Sequence, residues 1–393
     1  MSRLAIDATT AVTDLVEAMH HNIGRAPGIF AQPPQGRLQG VTGLVYRSIR
    51  GITGAVGGSI DAILSRLSLT LEAKASSEAR DAILAALNGV LGDHLAATQN
   101  PLALTMRMRL GSKPVMLDPG ALQPAIVEPA GKILLLVHGL CMNGRQWRRN
   151  GHDHGRVLAQ KLDYTPIYLD YNTGLHVSTN GAALSEMMDR LLCAWPVPVT
   201  EVAILAHSMG GLVARSACLQ AEVAGHPWRD CLRQLIFLGT PHHGAPLERG
   251  GHWLDLAFGM SPYTAPFARL GQVRSAGITD LRFGNVLDSD WQHQDRFERS
   301  SDTRQPAPLP RGVDCYAIGA TTARHADSLK SRMVGDGLVP LASALGRHDD
   351  PARDLGIATQ RQWVAVRTNH LDLLSRAKVC TTMEHWLGAS MLK

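Results

Sequence analysis

The sequence predicts an α/β fold, with helices on both faces of a mostly parallel, twisted sheet. Helical stretches at 182–195 and 209–223 alternate with short apolar runs, which is the pattern of βαβ units. Runs that are apolar without interruption are typical of strands buried on both faces of a parallel sheet. These runs are 133–137, 166–169, 202–206, 235–239, 315–319 and 363–366.

Three regions of different texture divide the 393 residues. We expect a helical N-terminal region over 1–100 and an α/β domain over 101–393, with a cap or lid-like insertion at about 245–310. The composition, 45% hydrophobic and 19% charged, is that of a folded protein with a large core. The net charge of +5 is scattered along the chain rather than concentrated, so no nucleic-acid partner is expected.

Two helices are predicted in the N-terminal region. Apolar residues recur at helical spacing over 41–67, and Gly54 and Gly58 form a small-xxx-small pair that lets another helix approach closely. This stripe is expected either to pack on the domain or a partner helix, or to lie on a membrane surface. The second helix is predicted to follow Ser77, its N-cap, and to stop near Gly92.

An antiparallel hairpin is predicted before the first parallel strand. Apolar and polar residues alternate over 102–110, and a Gly-Ser-Lys-Pro turn then leads into an apolar run at 115–117. The insertion at about 245–310 shows no strand signal, and connections of such length usually have a function. In it, Trp253 and Phe258 belong either to a lid helix that contacts the substrate or to ordinary packing.

The main catalytic signal is a serine at the end of an apolar run. Residues 202–206 are followed by the letters HSMGG at 207–211, where a helix begins. A serine on such a sharp strand-to-helix turn has its hydroxyl lifted clear of the backbone. The helix N-terminus also directs free N–H groups at developing negative charge. Ser208 is therefore the predicted nucleophile, in a GxSxG pattern with Ala206 at the first glycine position.

An oxyanion hole is predicted from two backbone N–H groups. The stretch 132–140 ends an earlier apolar run in His138 and Gly139. Gly139 is expected to let the chain turn so that the N–H of Leu140 faces the nucleophile, with the N–H of Met209 as the second donor. His138 and Gly139 are candidates for contact with substrate. For His138 a structural role in this loop is favoured over proton transfer.

The acid and the base are predicted from their places after later strands. Asp336 lies between two glycines after the run at 315–319, and His370 follows the last run. Their order after the nucleophile is that expected of a serine hydrolase built on a parallel sheet. Asp327 is the alternative acid.

These motifs resemble those of the lipase and esterase branch of the α/β-hydrolase family. The segment at 206–211 is similar to that of bacterial triacylglycerol lipases with alanine in the first position. Gly-Thr-Pro-His-His-Gly at 239–244 is similar to lipases and to deacylases of the glycosylphosphatidylinositol-processing type. The resemblance covers roughly 102–393. It implies hydrolysis of acyl or lipid esters by a Ser-His-Asp mechanism without metal or organic cofactor.

The same triad serves an acyltransferase or a thioesterase, so these reactions stay open as alternatives. A non-catalytic protein that binds lipid surfaces is the alternative from another class. The N-terminus lacks the apolar core of a signal peptide, and no run of apolar residues is long enough to span a membrane. A cytoplasmic location, free or peripheral to a membrane, is expected.

No metal is expected, because no histidine or cysteine spacing is diagnostic and the six cysteines form no CxxC pair. The alternative ligands are His242 and His243 with His152, Asp153 or His154.

Overall fold

A computed structural model describes residues 77–126, 128–245, 275–292, 294, 301–326 and 334–389. Within these ranges the strands form one large sheet and one two-stranded ribbon. The large sheet consists of β1 (Arg107–Leu110), β2 (Lys113–Val115), β3 (Lys132–Val137), β6 (Thr165–Asp170), β7 (Glu201–His207), β8 (Leu232–Leu238), β9 (Asp314–Thr321) and β10 (Gln362–Val366). The ribbon pairs β4 (Arg148–Arg149) with β5 (His152–Asp153).

Helices of very different length connect these strands. The α-helices are α1 (Ser77–Ala97), α2 (Pro119–Ala125), α3 (His154–Leu162), α4 (Val177–Ala194), α5 (Met209–Ala224), α6 (Trp228–Cys231), α7 (Ala276–Asp280), α8 (Leu341–Ala344) and α9 (Ala377–Ala389). Short 3-10 turns cover Gly144–Trp147, Asp288–Asp290, Thr359–Arg361 and Asp372–Leu374.

The strands of the large sheet lie in the order β10-β9-β8-β7-β3-β6-β1-β2. The strands from β10 to β6 are parallel, and β1 and β2 extend the sheet as an antiparallel hairpin. The predicted fold class and the predicted hairpin are therefore confirmed, although the paired part of the hairpin is shorter than the alternating pattern.

Both faces of the sheet are covered, as the uninterrupted apolar runs predict. In β3, Ile133 and Leu135 belong to one hydrophobic cluster, whereas Leu134 and Leu136 belong to a second cluster on the opposite face. All four side chains are fully buried. Because neighbouring side chains of a strand point to opposite faces, a strand between two helical layers is apolar at every position.

The parallel register brings the ends of three strands to one edge of the sheet. Val137 of β3 pairs with Ala206 of β7, and His207 of β7 pairs with Leu238 of β8. The residues that follow these strands therefore lie side by side, at the carboxyl edge where ligands bind in open α/β sheets.

Helix α1 does not stop at Gly92, contrary to the prediction, but continues to Ala97. A side chain at Gly92 would lie 1.9 Å from Oδ1 of Asn172, whose Nδ2 donates to the Gly92 carbonyl. Gly92 therefore allows Asn172 to pack closely against the middle of the helix, and it does not act as a C-cap. Leu87 and Leu91 of α1 are buried in the same cluster as β3.

Several sequence predictions fall outside the described residues. These are the stripe at 41–67, the candidate lid residues Trp253 and Phe258, and the alternative acid Asp327. Of the region 1–100, the described part from residue 77 packs on the α/β domain, and the proposed domain boundary stays a prediction. In the described part of the chain, no helix combines the length and the apolar character needed to cross a membrane.

Candidate active site

Ser208 occupies a strained turn between the central strand β7 and helix α5. Its φ of 55° and ψ of −128° lie in a region that residues with a side chain rarely adopt. Such a conformation costs about 1–3 kcal/mol and persists only where the surroundings hold it. Here the Ser208 N–H donates to the Leu238 carbonyl (2.8 Å), and the Ser208 carbonyl accepts from Gly211 (3.0 Å). The half-buried side chain lies at the sheet edge, as a nucleophile requires.

The two glycines of the HSMGG motif allow α5 to begin directly against neighbouring strands. A side chain at Gly210 would lie 2.5 Å from the carbonyl oxygens of Val137 and His138. One at Gly211 would lie 2.0 Å from Oγ1 of Thr240. A larger residue at either position would push the helix N-terminus away from the loops after β3 and β8.

The loop after β3 lies against the nucleophile. A side chain at Gly139 would lie 2.9 Å from Cβ of Ser208, so glycine is needed for this close approach. The residue with a left-handed backbone in this loop is Cys141, at φ 59°, and not Gly139. Its N–H donates to Oγ1 of Thr173 (3.1 Å), which fixes the loop. The turn prediction for Gly139 is thus replaced by a close-contact explanation.

Two backbone N–H groups beside Ser208 are candidates for binding an anion. The N–H of Met209 belongs to the first turn of α5, where helices leave their donors without internal partners. The N–H of Leu140 follows Gly139 in the loop that contacts Ser208. Neither group donates a hydrogen bond to any other residue in the described part of the chain. These are the two predicted oxyanion donors.

His370 and Asp336 form a buried pair. Nδ1 of His370 lies 2.7 Å from Oδ2 of Asp336, and the His370 N–H donates to the Asp336 carbonyl (3.2 Å). Asp336 is fully buried and His370 is 3% exposed. The other carboxylate oxygen of Asp336 accepts the N–H groups of Leu338 (2.9 Å) and Val339 (2.8 Å). The carboxylate is therefore satisfied and held in one orientation toward the imidazole.

The pair lies beside the strand end that bonds Ser208. A side chain at Gly239, next to Leu238, would lie 3.1 Å from Nδ1 and Cε1 of His370. Gly239 has a φ of 58°, so it is constrained both in conformation and in space. Within the described residues, no hydrogen bond joins the Ser208 hydroxyl to His370. Such contacts often form only when substrate is bound.

His207 contacts His370 directly, and the sequence analysis did not single it out. Nε2 of His207 lies 3.1 Å from the His370 carbonyl oxygen, and the two ring centroids are 4.7 Å apart. Burial, reinforced by the charge of His370, holds the pKa of His207 well below its usual value. His207 is thus a neutral imidazole that donates its Nε2–H to the base-bearing loop. Its place directly before the nucleophile was the available signal.

His138 is enclosed in the core. It is fully buried, its ring stacks on Tyr171 at 4.4 Å, and its Nδ1 lies 2.9 Å from the Gly139 carbonyl. The Tyr171 hydroxyl donates to the His138 carbonyl (2.8 Å). Burial lowers the pKa of His138 to about 4, so the ring is neutral near pH 7. These contacts are those of a residue that holds the loop after β3.

Comparison with known proteins finds a family model that matches part of this chain. Residues 128–306 match the family described as PGAP1-like alpha/beta domain. The match and the sheet confirm the predicted resemblance to the lipase and esterase branch of the α/β-hydrolase family. No curated protein sequence matches the chain.

Similar solved structures include Bacillus licheniformis lipase BlEst2 in its mature form, at 17% identity and a TM-score of 0.46, covering 72% of this chain and 98% of that one. Aspergillus fumigatus lipase B is 11% identical, with 65% and 52% covered and a TM-score of 0.41. Phospholipase PlaB from Legionella pneumophila is 17% identical, with 54% and 45% covered and a TM-score of 0.34. The chain spans about half the length of the last two proteins.

Proposed function

We propose that this chain is a serine hydrolase that cleaves carboxylic esters of acyl or lipid type through an acyl-enzyme. One observation carries the proposal. A serine in a strained strand-to-helix turn lies between free N–H groups and a strand end that contacts a buried Asp–His pair. A serine, a base, an acid that orients the base, and anion donors are the parts that acyl transfer requires.

In the proposed first step, His370 removes the proton of Ser208 as its oxygen attacks the ester carbonyl. Nδ1 of His370 is engaged by Asp336, so Nε2 is the nitrogen left to accept this proton. Asp336 keeps the ring in that tautomer and stabilises the cation that forms. The N–H groups of Leu140 and Met209 bind the oxyanion, and each such donor contributes about 3–4 kcal/mol in the transition state.

His370 then gives the proton to the leaving alcohol, and the acyl group stays on Ser208. Water enters, loses a proton to His370, and releases the acid in the second half of the cycle. An alcohol in place of water would give acyl transfer with the same residues.

The test is hydrolysis of p-nitrophenyl esters, from acetate to palmitate, by the full chain and by Ser208→Ala. We expect ester cleavage whose rate falls on the order of a millionfold in the variant, because the serine and histidine of a triad act as one unit. The series also reports which acyl length the site accepts.

Ser216→Ala is the matched control. Ser216 lies on the same helix α5, is fully buried, and its hydroxyl has no hydrogen-bond partner in the described structure. Its removal is therefore expected to leave turnover unchanged. Equal rates in wild type and Ser208→Ala, or no cleavage of any ester by wild type, would contradict the proposal.

A further inference from the structure

A second cluster of reactive side chains lies apart from the Ser208 site. His152 in β5, His154 at the start of α3 and Cys380 on α9 bring one potential ligand atom each to a common point. These three atoms lie within 4.8 Å of one another. Cys380 and His154 are buried, and His152 is half-buried, so the cluster is closed on the protein side and open on one side.

The fold brings the ligands together from distant parts of the chain. His152 and His154 are two residues apart where a strand enters a helix, a spacing that places side chains on the same face of a strand. Helix α9 packs against α3 and thereby delivers Cys380.

The spacing of these atoms is close to that of a tetrahedral zinc site. With Zn–N bonds of about 2.1 Å and Zn–S bonds of about 2.3 Å, neighbouring ligand atoms are roughly 3.3–3.6 Å apart. Nε2 of His152 and Nδ1 of His154 are 2.7 Å apart. An ion between them requires these nitrogens to separate by about 0.6 Å and the sulfur to approach by at most about 1.2 Å, since all three atoms lie within 4.8 Å of one another.

A hydrogen bond from the ring nitrogen that faces away from His152 fixes the orientation of His154. Its Nε2 donates to the carbonyl of Leu373 at 2.9 Å, which leaves Nδ1, facing His152, as the nitrogen with a free lone pair. Zinc-bound histidines usually donate their other ring nitrogen to a carbonyl or carboxylate in this way. Leu373 lies three residues after His370, so the cluster adjoins the loop of the proposed base.

A hydrogen bond between the two imidazoles explains their contact without an ion, but it does not use Cys380. Within the described residues the thiol has no hydrogen-bond partner, although it lies at the same point. A set of two imidazoles and one thiol matches the ligand preferences of zinc.

We propose that His152, His154 and Cys380 bind one Zn²⁺, with water as the fourth ligand. Cys380 binds as a thiolate, so one proton is released from its thiol to solvent for each ion bound. The ion ties the last helix to α3 and, through His154, to the loop that carries His370.

This proposal replaces the expectation of no metal. The proposed site also differs from the alternative ligand set, which includes His242 and His243. His242 is engaged elsewhere, because its Nδ1 lies 3.3 Å from a side-chain nitrogen of Arg215 and its ring packs edge-on against Phe237.

The experiment uses the purified full chain, stripped with a chelator and titrated with Co²⁺, a spectroscopic substitute for Zn²⁺. Binding of one equivalent is expected to produce a thiolate-to-cobalt charge-transfer band, which one equivalent of Zn²⁺ then abolishes. Cys380→Ser is expected to lose the band, and His152→Asn to bind at least tenfold more weakly. Cys193→Ser is the control, since this cysteine is exposed and outside the cluster.

A second measurement covers variants that fold poorly. Thermal unfolding with Zn²⁺ is expected to show a higher Tm in wild type and in Cys193→Ser, and no rise in Cys380→Ser. A wild type without a charge-transfer band, a band that survives Cys380→Ser, or an equal Tm rise in all three proteins would overturn the site. None of these readouts depends on ester hydrolysis.

Discussion

Among the described residues, two aspartate–histidine pairs have a buried carboxylate, and we assign only one of them to acyl chemistry. His370 contacts Asp336 at 2.7 Å, and His176 contacts Asp280 at 3.0 Å. In both pairs the carboxylate is buried and the histidine uses Nδ1. Distance and burial alone therefore do not separate them.

The surroundings of the two aspartate–histidine pairs do separate them. Asp336 holds backbone N–H groups of its own tight loop, and the ring of His370 lies between the end of β8 and His207. Asp280 instead joins the segment at 176–177 to its own, because it accepts from His176, from the N–H of Val177 and from Asn285.

The second pair is thus a connection between helices. His176 stacks on Trp291 at 3.7 Å, a contact that leaves its ring packed rather than directed at a nucleophile. We therefore expect a catalytic pair to be distinguished by the surroundings of its imidazole, and not by the contact with the carboxylate.

The largest expected difference between the pairs is in turnover. Asp336→Asn should reduce kcat on the order of ten-thousandfold, because His370 is then held in the wrong tautomer. Asp280→Asn should change kcat only a few-fold, while lowering the free energy of unfolding by about 1–2 kcal/mol through a lost acceptor. Kinetics on one ester and urea unfolding of both variants measure the two effects.

The opposite pattern, with activity lost in Asp280→Asn and retained in Asp336→Asn, would reverse the assignment of the pairs. Similar losses in both variants would show that the fold, and not the orientation of one base, controls turnover.

The contact between Asp336 and His370 agrees with the sequence prediction, which was possible because each residue follows a strand and belongs to a recognisable motif. Asp336 stands between glycines, and His370 follows the last strand. The second pair has no local signal, since His176 and Asp280 are 104 residues apart and only packing joins them.

A related ambiguity explains the wrong end predicted for α1. Glycine marks a helix terminus in some contexts and a close contact in others. Gly92 has the second role because Asn172 leaves no room for a side chain. The sequence does not contain that neighbour at a nearby position. The sequence analysis did not identify His207, because the motif at 207–211 predicts a role only for the serine that follows it.

A pH series tests the buried His138, which lies directly after β3. The folded pKa of His138, about 4, lies below its ordinary value of 6.5, so the unfolded chain takes up the proton first as pH falls. The stability due to neutral His138 is thus fully present above pH 6.5 and is lost as pH falls toward 4. The expected loss is on the order of 3 kcal/mol.

His138→Phe tests this contribution while keeping an aromatic ring against Tyr171. Urea unfolding at several pH values between 6.5 and 4 should show a smaller fall in stability for the variant than for wild type. Parallel pH dependences in the two proteins would mean that folding does not lower the pKa of His138.

The smallest expected effect on kcat comes from His207, which contacts His370 of the first pair. His207→Phe removes the donor to the His370 carbonyl, and displacement of the base is expected to reduce kcat about 10- to 100-fold. His207→Gln, which keeps an N–H donor, should recover part of this loss. The pH profile of kcat/KM is expected to shift in His207→Phe. Equal kcat values in Phe and Gln variants, with an unshifted profile, would leave His207 a packing residue only.

The most direct test of the catalytic assignment is covalent labelling by a fluorophosphonate, followed by peptide mapping of the full chain. We predict a single adduct, on Ser208, in wild type and in Asp280→Asn, a much slower adduct in Asp336→Asn, and none in Ser208→Ala. An adduct on another serine, or labelling that survives Ser208→Ala, would contradict the assignment of Ser208 as the nucleophile.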